Sequence, residues 1–248
     1  MRLQGRVYVV TGAGQGIGLA TAQRLAAEGA AVALCDLSAD AVQAAAAELR
    51  QGGAQAEAHV LNVAERPAVD AMVAAVLARF GRVDGLVNNA GITRDMTFKK
   101  MTKADWDVVM STNLDSCFNM TKQVIDGMTE RKWGRVINVS SVNGSKGAFG
   151  QTNYSAAKAG MHGFTKALAL EVARAGVTVN TISPGYIGTK MVTAIPQDIL
   201  DSKILPQIPV SRLGKPEEIA GLVAYLASDE AAFVTGANIA INGGQHMS

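Results

Sequence analysis

A tyrosine and a lysine stand one helical turn apart in the segment YSAAK at residues 154–158. Residues four apart on a helix share one face, so the ammonium of Lys158 would lie beside the phenol of Tyr154. A free phenol has a pKa of about 10, too high for a base at neutral pH, and a nearby positive charge lowers it. The pair therefore indicates a group that exchanges a proton with a substrate, although the same spacing is common on solvated helix faces.

Two polar residues earlier in the chain suit the same chemistry. Ser141 follows a strand predicted over Arg135–Val139, and its hydroxyl could hold a substrate carbonyl oxygen. Asn113 lies in a long helix predicted over Lys103–Thr129, where it could hold a water that connects Lys158 to solvent. The order and spacing of these residues predict an active site rather than a chance arrangement.

Glycines follow the first predicted strand in the segment TGAGQGIG at residues 11–18. A strand, a glycine turn and a helix start form an anion site, because free N–H groups and the positive end of the helix dipole meet there. The spacing is Gly12-x-x-x-Gly16-x-Gly18 rather than G-x-G-x-x-G, and the alternative is a tight turn with close helix packing. Its place after the first strand favours a dinucleotide pyrophosphate, with Gln15 and Ile17 beside it.

Asp36 ends the second predicted strand, where an acidic residue can bind the ribose of a dinucleotide. A carboxylate accepts hydrogen bonds from a 2′,3′-diol but repels a 2′-phosphate. Gln15 and Leu37 stand where an NADP site would usually have Arg or Lys. The sequence therefore favours NAD(H), with NADP(H) as the alternative; in another interpretation Asp36 only caps the next helix, although Ser38 is a comparable cap.

Two further segments are expected to face the cofactor. Asn88-Asn89-Ala90-Gly91 follows the fourth strand at the same edge of the sheet, although Asn and Gly also occur in ordinary turns. Asn62 and Val63 end the third strand, and the Asn62 amide carbonyl could reach an adenine amino group. We predict cofactor contacts from Asn62, Val63, Asn89, Ala90 and Gly91.

Short runs rich in Val and Ile alternate with longer Ala- and Leu-rich stretches of helical period. This alternation predicts a single α/β domain over 1–248, a Rossmann-type, doubly wound parallel sheet of about seven strands with helices on both faces. The predicted strands are Val7–Val10, Ala31–Cys35, Ala56–Leu61, Gly85–Val87, Arg135–Val139, Val177–Ile182 and Asn238–Ile241. The predicted helices are Ile17–Glu28, Ala39–Gln51, Pro67–Phe80, Lys103–Thr129, Ser155–Ala175 and Pro216–Ala227.

One connection is longer than the others. Five of the six prolines lie between Pro184 and Pro216, among the apolar residues Met191, Ile195, Ile199, Ile204 and Leu205. Long connections are often functional, and apolar side chains in a loop need something to cover. We predict a substrate loop at about 186–215, with a surface excursion as the alternative.

Composition excludes several classes of protein. Apolar residues make up 48% of 248, and the formal net charge is +2, so neither disorder nor a phosphate-backbone binder is expected. The aromatic fraction of 5% offers no stacking platform for nucleic acid. Two cysteines and three histidines, without ligand spacing, predict no metal site. Without a secretory or membrane-spanning stretch, a cytoplasmic protein away from membranes is expected.

The motifs TGAGQGIG, NNAG, YSAAK and SPGYIGT, with Asn113 and Ser141, resemble those of the classical short-chain dehydrogenase/reductase family along the whole chain. The resemblance implies a catalytic tetrad of Asn113, Ser141, Tyr154 and Lys158. It also implies that Pro184, Gly185, Ile187 and Thr189 face the cofactor, with a main-chain contact from Ile187 to the nicotinamide carboxamide and a phosphate contact from Thr189. A homotetramer is implied as well.

Within that family, VNGSKGAFGQTNYSAAKAGMHGF and NGGQHM resemble segments of bacterial acetoacetyl-CoA reductases of polyhydroxybutyrate synthesis. The 3-oxoacyl-carrier-protein reductases of fatty acid synthesis are the next match. This resemblance implies an acyl pocket lined by Phe149, Gln151 and Tyr186, and we predict substrate contacts from Ser141 and Tyr154 as well. Those reductases usually take NADPH, so Asp36 is a departure that bears on the cofactor and the physiological direction.

The expected activity is NAD(H)-dependent reduction of a short 3-oxoacyl thioester such as acetoacetyl-CoA, or the reverse oxidation. The alternatives are a carrier-protein reductase using NADPH, another short-chain alcohol dehydrogenase, and a cofactor-binding regulator without catalysis. Arg94, Lys99, Lys100 and Lys103 would suit either CoA phosphates or an acidic carrier protein, and equally an ordinary solvated surface.

Overall fold

The computed structural model describes residues 1–193 and 195–247, and the backbone alone for Met191 and Thr193. Across the described residues, seven parallel strands form one sheet in the order β3-β2-β1-β4-β5-β6-β7. The strands are β1 (Val7–Thr11), β2 (Ala31–Asp36), β3 (Ala56–Val60), β4 (Gly85–Asn88), β5 (Gly134–Val139), β6 (Val177–Pro184) and β7 (Asn238–Ile241). The helices are α1 (Gly16–Ala27), α2 (Ala39–Gln51), α3 (Arg66–Phe80), α4 (Lys103–Met110), α5 (Ser116–Glu130), α6 (Val142–Lys146), α7 (Thr152–Val172), α8 (Lys190–Thr193), α9 (Gln197–Ile199) and α10 (Pro216–Ala227).

The central strands are buried on both faces because helices cover each side of the sheet. Along β1, Tyr8 and Val10 point into an apolar cluster with side chains of α1, α2 and α10. Val7 and Val9 point into a second cluster with side chains of α3, α5 and α7. Alternate residues thus bury apolar surface on opposite sides, which explains the continuous apolar runs. The predicted doubly wound fold is confirmed.

The strand order places the candidate motifs side by side. The sheet grows outward in both directions from the adjacent strands β1 and β4, which makes the gap beyond their carboxyl ends the switch point of the fold. The glycine turn follows β1 and the segment Asn89–Gly91 follows β4. Ser141 follows β5, the next strand along. Ligands bind at this edge in doubly wound sheets.

One predicted helix differs from the structure. The stretch expected as a single helix over Lys103–Thr129 consists of α4, a wide π-helical turn over Ser111–Asp115, and α5. In that turn the Ser116 N–H donates to the Ser111 carbonyl, five residues back. Such a turn frees neighbouring carbonyls and is frequent at functional sites. Asn113 lies within it.

Two other boundaries were not predicted. Helix α7 begins at Thr152 rather than Ser155, so Tyr154 is already in its first turn. The short helix α6 follows β5 directly, with Ser141 as its N-terminal cap.

The predicted substrate loop contains short helical turns over residues 190–193 and 197–207. Its buried residues Leu200, Ile204 and Ile208 form a third apolar cluster, against which Tyr186, Val192, Ile195, Leu205 and Leu213 pack. These apolar side chains cover one another, so the argument that they require a substrate is wrong. The side chain of Met191, which belonged to that argument, lies outside the described residues.

Candidate active site

The glycine turn leaves a helix N-terminus open to an anion. Helix α1 begins at Gly16, and its first turn reads Gly-Ile-Gly-Leu, so the turn itself contains no acidic residue. Gly16 has a φ of +57°, in the left-handed region that favours glycine. The N-terminal N–H groups and the helix dipole together attract negative charge.

Close packing around this turn depends on two of its glycines. A Cβ at Gly18 would lie 2.1 Å from the Gly12 carbonyl oxygen, and one at Gly12 would lie 2.9 Å from Asn89 Nδ2. Without these side chains the backbone can approach a pyrophosphate closely. The turn and helix N-terminus therefore fit the diphosphate of a dinucleotide.

The segment after β4 supports the glycine turn from the other side. The Asn89 side-chain amide donates to the carbonyls of Thr11 (2.9 Å) and Gly12 (3.1 Å). The Thr11 hydroxyl oxygen accepts the N–H groups of Asn89 and Ala90, both at 3.0 Å. Asn89 thus positions the turn, and Thr11 has a supporting role that the sequence analysis missed.

Asp36 contacts the glycine turn directly. Its carboxylate accepts the Gly14 N–H at 2.9 Å and the Ser38 N–H at 3.0 Å. Leu37, beside it, is 72% exposed. The carboxylate therefore stands at the end of β2 next to the turn, where a ribose diol would lie. Its bond to Ser38 also gives the alternative capping interpretation some support.

Asn62 lies two residues beyond the end of β3, in a turn rather than in the strand. Its side-chain oxygen accepts the Ala64 N–H at 3.1 Å, and its amide donates to Glu65 at 3.2 Å. Val63 is buried in the second apolar cluster. An adenine contact from the Asn62 carbonyl remains a prediction, since that oxygen has a second lone pair.

The segment after β6 returns across the glycine turn. A Cβ at Gly16 would lie 3.2 Å from Thr189 Cγ2, so Thr189 is beside the glycine turn. The Ile187 side chain is buried, while main-chain groups of Tyr186 and Gly188 pair with Gly214. Pro184 ends β6, and Gly185 approaches Asn242 so closely that a Cβ would lie 2.9 Å from its Cα.

Three members of the predicted tetrad meet where β5 faces α7. Ser141 hydrogen-bonds the Tyr154 hydroxyl. The Lys158 ammonium lies 5.6 Å from the centroid of the Tyr154 ring and donates to the Val139 carbonyl at 2.8 Å. Ser141 and Lys158 are buried. The helical spacing thus brings Tyr154 and Lys158 together as predicted.

The proton affinities differ from the sequence-based expectation. Burial raises the pKa of Tyr154, the Ser141 hydrogen bond opposes that rise, and the Asp95 carboxylate adds to it. Burial also lowers the pKa of Lys158 to about 8. The expectation of a lowered phenol pKa is therefore wrong, because burial is the largest influence on the pKa of Tyr154. A phenol that keeps its proton at neutral pH suits an acid.

Asn113 joins this site through the loop after β4. Its side chain accepts the Ile92 N–H at 2.8 Å and donates to the Ile92 carbonyl at 2.9 Å. A Cβ at Gly91 would lie 3.3 Å from Asn113 Oδ1 and 3.4 Å from Lys158 Nζ. The Asn113 carbonyl accepts a bond from Cys117 Sγ at 3.5 Å. Asn113 therefore fixes the loop beside Lys158, and its predicted water link stays a prediction.

The predicted substrate residues do not form a closed pocket. Phe149 is 95% exposed, and Tyr186 packs against the third apolar cluster. The Gln151 amide is engaged at both ends: its oxygen accepts from Asn143 at 2.9 Å and its nitrogen donates to Asp95 at 2.8 Å. Asp95 and Asn143 were not predicted, and only their closeness to Gly91 and Ser141 in sequence could have indicated them.

Two features of the described residues bear on other functions. In this part of the chain, no group of three or more His, Cys, Asp or Glu side chains could hold a metal ion. The helices found in residues 1–193 and 195–247 include none that is long and apolar enough to cross a membrane.

A glycine turn that fits a dinucleotide lies beside a Ser–Tyr–Lys site, at the switch point of a doubly wound sheet. This combination defines a nicotinamide-dependent oxidoreductase. A family model described as enoyl-(acyl carrier protein) reductase matches residues 12–246. The chain belongs to the short-chain dehydrogenase/reductase family. Membership implies a nicotinamide dinucleotide cofactor.

Relatives match along almost the whole chain. An acetoacetyl-CoA reductase of Cupriavidus necator is 56% identical over 243 residues, which is 98% of each chain. Nodulation protein G of Azospirillum brasilense is 55% identical over 96% of this chain and 97% of its own. A 3-oxoacyl-acyl-carrier-protein reductase of Escherichia coli is 45% identical over 100% of both chains.

Proposed function

We propose that the chain catalyses NAD(H)-dependent reduction of a short 3-oxoacyl thioester, of the acetoacetyl-CoA type, or the reverse oxidation. The observation that carries this proposal is the Tyr154 hydroxyl, hydrogen-bonded to Ser141 beside the glycine turn that fits a dinucleotide. The names of relatives that are 45–56% identical support the substrate class.

The chain's own residues supply the proton and hold the substrate. When bound, the nicotinamide supplies a hydride to the carbonyl carbon of the substrate. Ser141 donates a hydrogen bond to the carbonyl oxygen, and Tyr154 transfers its proton to the same oxygen. The buried ammonium of Lys158 stabilises the phenolate that remains, because charges interact strongly away from water.

The preference for NAD(H) rests on Asp36. Its carboxylate would accept bonds from the ribose diol and would repel a 2′-phosphate. The exposed Leu37 offers that phosphate no positive partner. NADP(H) is the alternative cofactor.

The thioester carrier would lie along the basic segment at residues 94–103. Main-chain pairing of Met96 N–H with the Gly150 carbonyl, at 2.8 Å, places this segment beside Gln151. Lys99 and Lys100 are exposed there, whereas Lys103 pairs with Asp107. CoA phosphates would find charge partners at this entrance, and an acidic carrier protein is the alternative.

A turnover assay tests the proposal. We expect reduction of acetoacetyl-CoA with NADH to exceed reduction of long-chain 3-oxoacyl-CoA, of a plain methyl ketone and of the enoyl thioester crotonyl-CoA. Higher activity on a 3-oxoacyl-carrier-protein would favour the alternative carrier. Cofactor binding without turnover of any carbonyl compound would favour a regulator and contradict the proposal.

Gln151 provides a prediction about thioester recognition. Its amide nitrogen has a second hydrogen besides the one given to Asp95, and we expect it to donate to the thioester carbonyl. Gln151→Ala should therefore lower kcat/KM for acetoacetyl-CoA, with a loss of about 1–3 kcal/mol in transition-state stabilisation. The kcat/KM for a plain ketone should change little. Equal losses on both substrates would instead indicate that Gln151 only supports the Asp95–Asn143 network.

The pKa of Lys158 provides a second prediction. Below about pH 8 the ammonium is charged, and its charge is lost as pH rises through that value. Because the pKa of Tyr154 is raised, the phenol keeps its proton over this range. We expect kcat/KM for acetoacetyl-CoA reduction to be flat below pH 8 and to fall above it.

Lys158→Arg is the control for this pH profile, since a guanidinium stays charged throughout. It should lower the rate at every pH but remove the decline. A decline that persists unchanged in Lys158→Arg would assign it to another group.

A further inference from the structure

Consecutive residues at the end of β5 contact one face of α7. The Val139 carbonyl accepts from Lys158 Nζ at 2.8 Å. The Ser140 hydroxyl donates to the Lys158 carbonyl, also at 2.8 Å. The Ser141 side chain hydrogen-bonds the Tyr154 hydroxyl. These contacts set how far Ser141, on the β5 side, lies from the acid on the helix.

His162 extends this row of contacts by one more helical turn. It follows Lys158 by four residues, as Lys158 follows Tyr154, and its Nε2 lies 2.9 Å from Ser140 Oγ. The Ser140 hydroxyl has one hydrogen, and the Lys158 carbonyl can only accept it. The His162 contact is therefore a hydrogen bond in which Nε2–H donates to Ser140 Oγ.

The surroundings of Ser140 are tightly packed. Ser140 is 4% exposed, and His162 is half-buried. A Cβ at Gly144, on α6, would lie 3.0 Å from Ser140 Oγ and 2.9 Å from the Lys158 carbonyl carbon. The serine thus sits where α6, α7 and β5 meet, and its hydroxyl orientation depends on both of its partners.

We propose that His162 is a positioning residue for the reaction, acting through Ser140 on the separation of Ser141 from Tyr154 and Lys158. This proposal rests on the proposed function, because it takes Tyr154 as the proton donor. His162 lies outside the predicted tetrad, and within the described residues its imidazole contacts Ser140 rather than a tetrad side chain. Its imidazole fixes the Ser140 hydroxyl, and that hydroxyl fixes the helix carbonyl one turn from the acid.

Four variants test this chain of contacts. His162→Leu removes the donor, and His162→Gln keeps an N–H donor at similar reach. Ser140→Ala removes the intermediate hydroxyl, and the fourth variant combines Ser140→Ala with His162→Leu. Each is assayed for kcat and KM with acetoacetyl-CoA and with ethyl acetoacetate, and its melting temperature is measured.

We expect His162→Leu to lower kcat about tenfold to a hundredfold on both substrates, because small misplacements of reacting groups have effects of this size. KM should change little, and His162→Gln should recover most of the rate. The double variant should be no slower than Ser140→Ala alone, since both changes interrupt one path.

Three outcomes would overturn the proposal: unchanged kcat in His162→Leu, additive losses in the double variant, or a fall in melting temperature that His162→Gln repairs without repairing kcat. Wild-type activity on ethyl acetoacetate but not on acetoacetyl-CoA would contradict the proposed function instead. The effect of the His162 variants on kcat would still be measured with ethyl acetoacetate.

Discussion

Tyr154→Phe is expected to lower kcat by about 10²–10⁴-fold while leaving the fold intact. The change removes one hydroxyl and keeps the ring packed in the first turn of α7. General acid catalysis contributes a factor of this size, and water is a poor substitute for a phenol held by Ser141. Stopped-flow or steady-state reduction of acetoacetyl-CoA measures the loss, and KM should change little.

Tyr225→Phe is a matched control for this variant, because Tyr225 lies on α10 rather than on α7 and packs against the apolar cluster shared with α1 and α2. It should retain the full rate. Both variants should bind the nicotinamide cofactor and melt as the wild type does. A folded Tyr154→Phe protein with near-normal turnover would show that another group supplies the proton.

The sheet and the glycine turn could be predicted because their signals are local. Apolar runs such as Val7–Val10 occur only where both faces of a strand are covered, and each run ends at a turn. The glycine spacing marks a place where side chains are sterically excluded, as the 2.1 Å approach at Gly18 shows. The helical spacing of Tyr154 and Lys158 likewise requires only a helix.

Properties that depend on three-dimensional packing could not be predicted. Spacing suggested that the ammonium would lower the phenol pKa, but burial of Tyr154 raises that pKa. The π-helical turn at Asn113 is absent from the apolar pattern, which reads as one long helix. The Asn113 side chain hydrogen-bonds the main chain of Ile92, more than twenty residues away in sequence.

The substrate side was the least predictable part. Apolar residues between Pro184 and Pro216 were predicted to cover a substrate, yet Leu200, Ile204 and Ile208 pack against one another. Gln151 was identified from resemblance, but its partners Asn143 and Asp95 come from separate segments. His162 stood alone in sequence and acquires a partner only because β5 ends against α7. Contacts between distant segments determine all of these.

Cofactor choice gives the second large expected effect. We expect the wild type to have a higher kcat/KM with NADH than with NADPH. Asp36→Ala combined with Leu37→Arg should change that ratio toward NADPH by about a hundredfold or more. Removing a like charge and adding a guanidinium beside a phosphate are each worth about 1.4 kcal/mol or more, a factor of ten each.

The structure shows why this experiment needs further variants. Asp36 also accepts the Gly14 N–H, so Asp36→Ala disturbs the glycine turn and should weaken both cofactors together. Asp36→Asn keeps an acceptor for that N–H but loses the charge, and Leu37→Arg alone adds the phosphate partner while repulsion remains. If repulsion decides the choice, Asp36→Asn should gain NADPH activity and Leu37→Arg alone should gain less. A wild type that already prefers NADPH would instead leave Asp36 with the structural task of holding Gly14 and Ser38 at the end of β2.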